Sequence, residues 1–455
     1  MTGALDSRGQ GGVRARKSSS LRDAVAPACA VRHQLIILGN GFDKACGLRS
    51  GFWEFFEPRM SVIRQLETKF PGEGMTRAYE LREAGITAWD LVLYLRKDFL
   101  EKSAGVQWCD VESAIARVVG KGSADDDCLL ADHVTIDEIC GYIDCRARYG
   151  GARNVNEYVD LLAERVEELE SQEDGSVDDA EWDAAQDAFR NAILHAPNAE
   201  SEYVAQFLLD VHPSLEKGDR GAVAKALYDE LRLLESQFAE YLRVDVERAE
   251  DYEKRSRRLL TDIYGYGFEQ SCFSPKAECP LTVLSFNYTS PGLPKRKGRK
   301  FDIDFVNVHG RLDGEVIFGA DGLDCLDDAD VARFSKTYRV LSAERFPLRG
   351  SIAYPSTEGN AGGVLTTDIK FFGHSLARAD YSYFQAIFDL VDLYAGSVRL
   401  CFLYTPHGEN DHQELLDRVA RLLNAYGETL DNAAHDKNLM HKLLLESRLF
   451  VQRVQ

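Results

Sequence analysis

Leu35-Ile36-Ile37-Leu38-Gly39-Asn40-Gly41-Phe42-Asp43-Lys44-Ala45 is the stretch whose reading decides the fold. A short apolar run, rich in β-branched residues, ends in glycines and passes into a mixed polar and apolar segment. That pattern predicts a buried strand turning tightly into a helix. Such a turn aims backbone N–H groups and a helix N-terminus at one spot, which suits a phosphate or another nucleotide oxygen. Gly39 and Gly41 supply the first two glycines of a G-x-G-x-x-G fingerprint, and Lys44 stands where the third belongs. The plainer reading is a β–α turn that needs glycine only for its backbone angles.

Working outward, further strand-like runs occur at 281–286, 303–308, 315–318, 369–372, 398–404 and 448–453. Helical patterns follow at 379–395, 411–426 and 436–446, and earlier ones lie at 50–60 and 76–100. Alternating strands and helices predict an α/β fold: a Rossmann-like, mainly parallel sheet in a three-layer arrangement. The block 155–262 has apolar residues at three-and-four spacing, including Tyr158, Leu161, Leu162, Val166 and Leu169, and it lacks strand signals. It reads as a large helical insertion. The predicted organisation is a disordered extension at 1–30, a Rossmann-like nucleotide-binding domain from 31–150 and 265–455, and the helical insertion at 151–264.

Composition narrows the function. The 455 residues carry a formal net charge of −20, which disfavours a long nucleic-acid track because phosphate neutralisation requires clustered Lys and Arg. No apolar run reaches the length of a membrane span. Residues 1–30 hold Arg14, Arg16, Lys17 and a serine run with no apolar segment of a secretory signal. The ten cysteines are scattered; Cys140 with Cys145, and Cys272 with Cys279, are near pairs but not C-x-x-C, and no zinc set emerges. Reduced thiols in a cytoplasmic protein are expected.

Polar punctuation recurs at the carboxyl ends of the predicted strands, where open α/β sheets bind ligands. Gly39-Asn40-Gly41-Phe42-Asp43 follows the first, Asn287-Tyr288-Thr289 follows 281–286, His309-Gly310 follows 303–308, and Gly373-His374-Ser375-Leu376 follows 369–372. Each is a turn by composition. In a parallel sheet all four share one rim.

These motifs, in this order, together with Trp108-x-Asp110-x-Glu112, Ile317-Phe318-Gly319 and Asp380, resemble the AbiH family of bacteriophage abortive-infection proteins over residues 35 to 405. The resemblance implies an antiphage defence role. A more distant similarity is to sirtuin-like NAD-consuming domains, which place a glycine loop, an Asn, a His-Gly, a Phe-Gly and a Gly-x-Ser-Leu in the same order. That similarity implies Asn287 on the ribose side, His309 as base, Gly373 and Ser375 in an adenosine-side loop, and Gly39 and Gly41 in a phosphate loop. Asn40, Phe42, Asp43 and His374 belong to the same segments. The zinc module that sirtuins carry between His-Gly and Phe-Gly is missing, so protein deacylation is not expected.

Cleavage of a nicotinamide–ribose bond passes through an oxocarbenium-like state. Asn287 would orient water and ribose, and His309, ordinarily titrating near 6.5, would exchange a proton with a ribose hydroxyl or that water. NAD is then the substrate, and no metal or other cofactor is required. Asp43 reads equally as a helix cap or as a ribose ligand. Asp110 and Glu112 read as helix N-terminal acids or as a second acidic wall, His374 as a core histidine, and Asp380 as an early-helix acid. The cationic run Lys295-Arg296-Lys297-Gly298-Arg299-Lys300 reads as a solvated loop or a contact for an anionic partner. The expected function is a defence effector acting as an NAD glycohydrolase, with a nucleotide ligand and a phage-derived trigger or partner. The alternatives are a nucleotide-sensing module without turnover and a metal-dependent nuclease using Asp110, Glu112 and Asp43. The oligomeric state is open, a homo-oligomer included.

Overall fold

The structure is a computed structural model that describes residues 31–70, 74–96, 108–120, 134–148, 160, 163–164, 166–167, 199–215, 218–267, 280–294, 303–320, 328–342, 352–355, 363–377, 380–406, 411–430 and 438–454. The extension at 1–30, nearly all of 151–198, the cationic run at 295–300, Cys272 and Cys279 lie outside them.

Six strands form one parallel sheet: β1 (Val31–Leu38), β2 (Leu281–Ser285), β3 (Ile303–Asn307), β4 (Val364–Phe372), β5 (Arg399–Tyr404) and β6 (Leu449–Arg453). Their order is β3-β2-β1-β4-β5-β6, the doubly wound Rossmann order. Its topological switch point lies between β1 and β4. Leu38 pairs with Ser285 on one side and Phe372 on the other, Ser285 with Asn307, and Phe372 with Leu403. The strands therefore end level, and the residues that follow them emerge on one rim.

The second half of β1, Leu35 to Leu38, is continuously apolar because both its faces are covered. Leu35 and Ile37 face one core, shared with α12 (Tyr381–Leu390), α13 (Asp411–Glu428) and α14 (Leu439–Leu445). Ile36 and Leu38 face the other, shared with α1 (Asn40–Ala45) and α9 (Tyr252–Gly265). This is the three-layer arrangement expected.

The remaining helices build a second body around a core of their own. They are α2 (Phe52–Lys69), α3 (Gly74–Glu83), α4 (Ala88–Leu95), α5 (Trp108–Val118), α6 (Ile136–Arg148), α7 (Ala199–Val211) and α8 (Arg220–Arg248). α2 turns Phe52, Phe55, Phe56, Met60 and Ile63 inward, and α8 turns Val223, Leu227, Leu231, Leu234, Phe238 and Leu242 inward, each at helical spacing. One cluster thus joins side chains from before and after residue 150. Two short helices, α10 (Ala329–Ala332) and α11 (Lys336–Ser342), lie between β3 and β4.

The run 315–318, read as a strand, forms only an isolated bridge from Val316 to Gly310. Val316 and Phe318 are buried in the core of the helical body, and that packing, not ladder pairing, accounts for their apolar character. No helix among the described residues is long and apolar enough to cross a membrane.

Candidate active site

The rim at the switch point opens into a cavity of about 450 Å³, within the range of small-molecule sites. Gly39, Asn40 and Gly41 line it after β1, Asn287 after β2, His309 after β3, Gly373, His374 and Ser375 after β4, and Tyr404 and Thr405 at β5. The helical body contributes Phe52, Glu112 and Leu242, and α13 contributes Leu415 and Arg418. Phe42, grouped in the sequence with the glycine loop, does not line it. The Phe42 ring is core, edge-on to Phe372 with ring centroids 6.1 Å apart.

The two glycines that follow β1 line the cavity and also let two loops pack closely. Neither Gly39 nor Gly41 has a positive φ, so backbone angles do not require them. What they permit is close approach of two loops. A Cβ on Gly39 would lie 2.7 Å from the Gly373 carbonyl oxygen, and one on Gly41 would lie 2.7 Å from Gly373 Cα. The Gly39 N–H donates to Phe372 O at 3.0 Å and the Gly41 N–H to Gly373 O at 2.7 Å. Both donors are thus engaged across the switch point rather than turned to a phosphate. Asn287 joins the same seam, its Nδ2 donating to Gly39 O at 3.0 Å. Ser50 donates to Asn40 Oδ1 at 2.5 Å.

Asp43 does not cap α1; it lines the cavity with its carboxylate engaged. Gly39 holds the N-cap position, which places Asp43 in the helix, pointing inward. Its Oδ1 accepts from Tyr252 Oη at 2.7 Å and its Oδ2 from Thr289 Oγ1 at 2.7 Å. Burial raises its pKa to about 6, against hydrogen bonds from Tyr252, Thr289 and Asn287 that favour the carboxylate.

Beneath the rim lies a buried charged cluster drawn from five segments. Lys336, at the start of α11, donates its ammonium to Asp380 Oδ1 at 2.9 Å and forms an ion pair with Glu112 of α5. Asp380 is the N-cap residue of α12 but makes no side-chain capping bond. Its carboxylate meets two imidazoles instead: His309 Nε2 lies 3.4 Å from Oδ1 and His374 Nε2 lies 3.4 Å from Oδ2. The Leu376 N–H donates to His374 Nδ1 at 2.9 Å, so the neutral ring carries its proton on Nε2, facing Asp380. The His309 contact has ion-pair distance without hydrogen-bond alignment, and its Nε2 is otherwise unsatisfied. The Phe286 ring stands edge-on to both imidazoles, with centroids 5.2 and 4.6 Å away.

Burial alone would drive the Lys336 ammonium toward neutrality, but Asp380 and Glu112 hold its pKa above the ordinary value. Burial likewise opposes ionisation of Asp380, yet the Lys336 ammonium holds it well below the carboxylate range. His309 is pushed down to about 3, first by burial and then by Lys336. It is neutral at physiological pH, not poised near 6.5 as its unperturbed value suggested.

Glu112, His309 and Asp380 present ligand atoms within 4.8 Å of one another, a spacing that a metal ion could bridge. Lys336 already touches both carboxylates, so the cluster carries its own cation. The acidic trio Asp110, Glu112 and Asp43 does not assemble: Asp110 does not line the cavity, and Asp43 is occupied by Tyr252 and Thr289. Asp110 sits in the first turn of α5, the plainer of its two expected roles. Sequence reasoning missed Lys336, undervalued Asp380, and did not foresee the α13 wall. No local signal marks Lys336, whereas Asp380 belonged to the motif set and was open to a stronger reading.

A family profile described as "Bacteriophage abortive infection AbiH" matches residues 35–404. No curated protein and no solved structure matches the chain. The profile spans most of the sequence and every strand-end motif that lines the cavity, and the chain belongs to the AbiH family of bacteriophage abortive-infection proteins.

Proposed function

We propose that the chain is an abortive-infection effector whose cavity binds a nucleotide and hydrolyses the nicotinamide–ribose bond of NAD. One observation carries this reading: Asn287, His309, Gly39–Gly41 and Gly373–Ser375, scattered over more than 300 positions, line a single cavity at the switch point, where doubly wound sheets bind nucleotides.

In this scheme the bond from ribose C1′ to the ring nitrogen breaks, and nicotinamide leaves with the electron pair. Water then forms the new bond at C1′ and gives up a proton. The carboxamide of Asn287, anchored through Nδ2, keeps its oxygen to orient that water. His309, being neutral, accepts the proton. The attacking oxygen becomes strongly acidic as it bonds to the cationic sugar, so a weak base suffices. Because the Gly39 and Gly41 N–H groups are engaged, the phosphates are held by side chains; Lys44 and Arg418 line the cavity.

The test is incubation of purified protein with NAD, alone and with lysate of phage-infected cells, monitoring free nicotinamide. Asn287→Ala and His309→Ala should each abolish release. NAD recovered intact from a saturable complex would replace catalysis by sensing, and absence of both release and binding would remove the reading.

A further inference from the structure

His309 has two ring nitrogens and one cavity to serve. Its Nε2 is buried in the cluster, 3.4 Å from Asp380 Oδ1 and without a hydrogen-bond partner. That leaves Nδ1 as the nitrogen a ligand can meet. Which nitrogen carries the proton is then decided by Asp380. A lone pair on Nε2 would face a carboxylate, whereas an N–H there is attracted to it. Asp380 is itself fixed from two further sides: Lys336 Nζ lies 2.9 Å from the same Oδ1, and His374 Nε2 lies 3.4 Å from Oδ2. Lys336 is anchored in turn by Glu112. The aromatic edges of Phe286 and Tyr383, with centroids 5.2 and 5.9 Å from the imidazole, limit rotation of the ring.

We propose that Asp380 and Lys336 are positioning residues for His309: Asp380 takes the proton-bearing Nε2, Lys336 locks Asp380 in place, and Nδ1 is thereby presented to the cavity as the proton-accepting atom. The catalytic part of this assignment rests on the NAD-hydrolysis reading; the tautomer part does not.

Among the described residues, five titratable groups face the His309 ring: Glu112 from α5, Lys336 from α11, Asp380 and Tyr383 from α12, and His374 from the loop after β4. Lys336 and Asp380 act on it with opposite sign, the ammonium disfavouring the imidazolium and the carboxylate favouring it. Two substitutions at the same cluster should therefore move His309 in opposite directions, an outcome that general loosening of the site does not produce.

The experiment is nitrogen NMR of histidine-labelled full-length protein without ligand, the His309 signals assigned by their loss in His309→Gln. The expected result is a neutral Nε2–H tautomer throughout pH 5–8. Lys336→Met should then raise the pH at which His309 titrates, and Asp380→Asn should lower it. A neutral Nδ1–H tautomer in the unsubstituted protein, or titration near the ordinary histidine value, overturns the proposal and needs no variant to fold. In the nicotinamide-release assay, Asp380→Asn should lower kcat on the order of 100-fold with KM changed by less than about threefold. A KM raised by a similar factor with kcat unchanged would assign Asp380 to ligand binding and overturn the positioning role. Absence of nicotinamide release from the unsubstituted protein counts against NAD hydrolysis and leaves the tautomer result to decide the geometry.

Discussion

The Gly41 N–H donates to the Gly373 carbonyl across 2.7 Å, joining the loop after β1 to the loop after β4 where the chain reverses its winding direction. This contact explains why glycines stand on both sides. Gly373 has φ +68, and a Cβ there would lie 2.6 Å from the Gly41 carbonyl carbon. Backbone cannot step aside as a side-chain tip can. Gly373→Ala should therefore destabilise the protein by more than about 3 kcal/mol. Gly141→Ala, within α6 with no atom within 4 Å of the added Cβ, should stabilise by about 0.5–1 kcal/mol. Denaturant titration of both variants checks the contrast, and equal effects would refute the close-approach account.

Asp43 links the same loop to pH. Burial raises its folded-state pKa to about 6, above an unfolded value of about 4. The folded protein thus binds this proton more tightly than the unfolded chain. The corresponding stabilisation is present below about pH 4 and is lost as pH rises through 6, a change on the order of 3 kcal/mol. Asp43→Asn removes it. The variant should equal or exceed the parent in stability at pH 7, when no charge is buried, and lose that advantage by pH 4. A stability difference that stays flat across this window would show that Asp43 is not buried as an ionisable acid.

What the sequence discloses here follows from range. The motifs after β1 to β4 are legible because each is local: an apolar run ends, and turn residues follow. The direction of a side chain is not local. Asp43 reads equally as a helix cap or as a ribose ligand, yet α1 begins at Asn40, and that phase turns its carboxylate toward Tyr252, which is 209 positions away. Lys336 carries no sequence signal because lysine is ordinarily a surface residue; it is buried only because Glu112 and Asp380, from two other helices, converge on it. The stretch Val316-Ile317-Phe318 is read as a strand from its composition, and its burial among helices rather than strands is a tertiary outcome.

Helix α11, which supplies Lys336, is tied to the helical body by a second buried ion pair. Arg339 Nη2 lies 2.8 Å from Glu235 Oε2 of α8, and the Phe318 N–H donates to Glu235 Oε1 at 2.6 Å. Removing Arg339 leaves the buried Glu235 carboxylate with only the partly exposed Arg232, whose Nη1 lies 3.1 Å from Oε2, so Arg339→Leu should cost about 2–4 kcal/mol. Adding Glu235→Gln removes that charge while keeping an acceptor for Phe318. The double variant should recover about 1–2 kcal/mol relative to Arg339→Leu alone. Chemical denaturation of the two single variants and the double variant measures this; strict additivity would show that the pair does not couple α8 to α11.

The α13 side of the cavity permits a test of ligand placement that leaves the proposed chemistry untouched. Leu415 lines the cavity together with Leu403 and Arg418, on the side of β1 opposite to Asn287 and His309, since β4 and β5 lie to one side of β1 and β2 and β3 to the other. A dinucleotide with its scissile bond at Asn287 and His309 must extend across the switch point toward α13. Leu415→Trp narrows that half without reaching the catalytic pair. The expected result is a KM for NAD raised about tenfold or more with kcat little changed, the signature of lost uniform binding. Leu415 also packs at the margin of the core shared with α12 and α14, so the larger ring should cost about 1–3 kcal/mol of stability. An unchanged KM would mean that the ligand lies wholly on the Asn287 side, and a lost kcat would mean that α13 takes part in the chemistry.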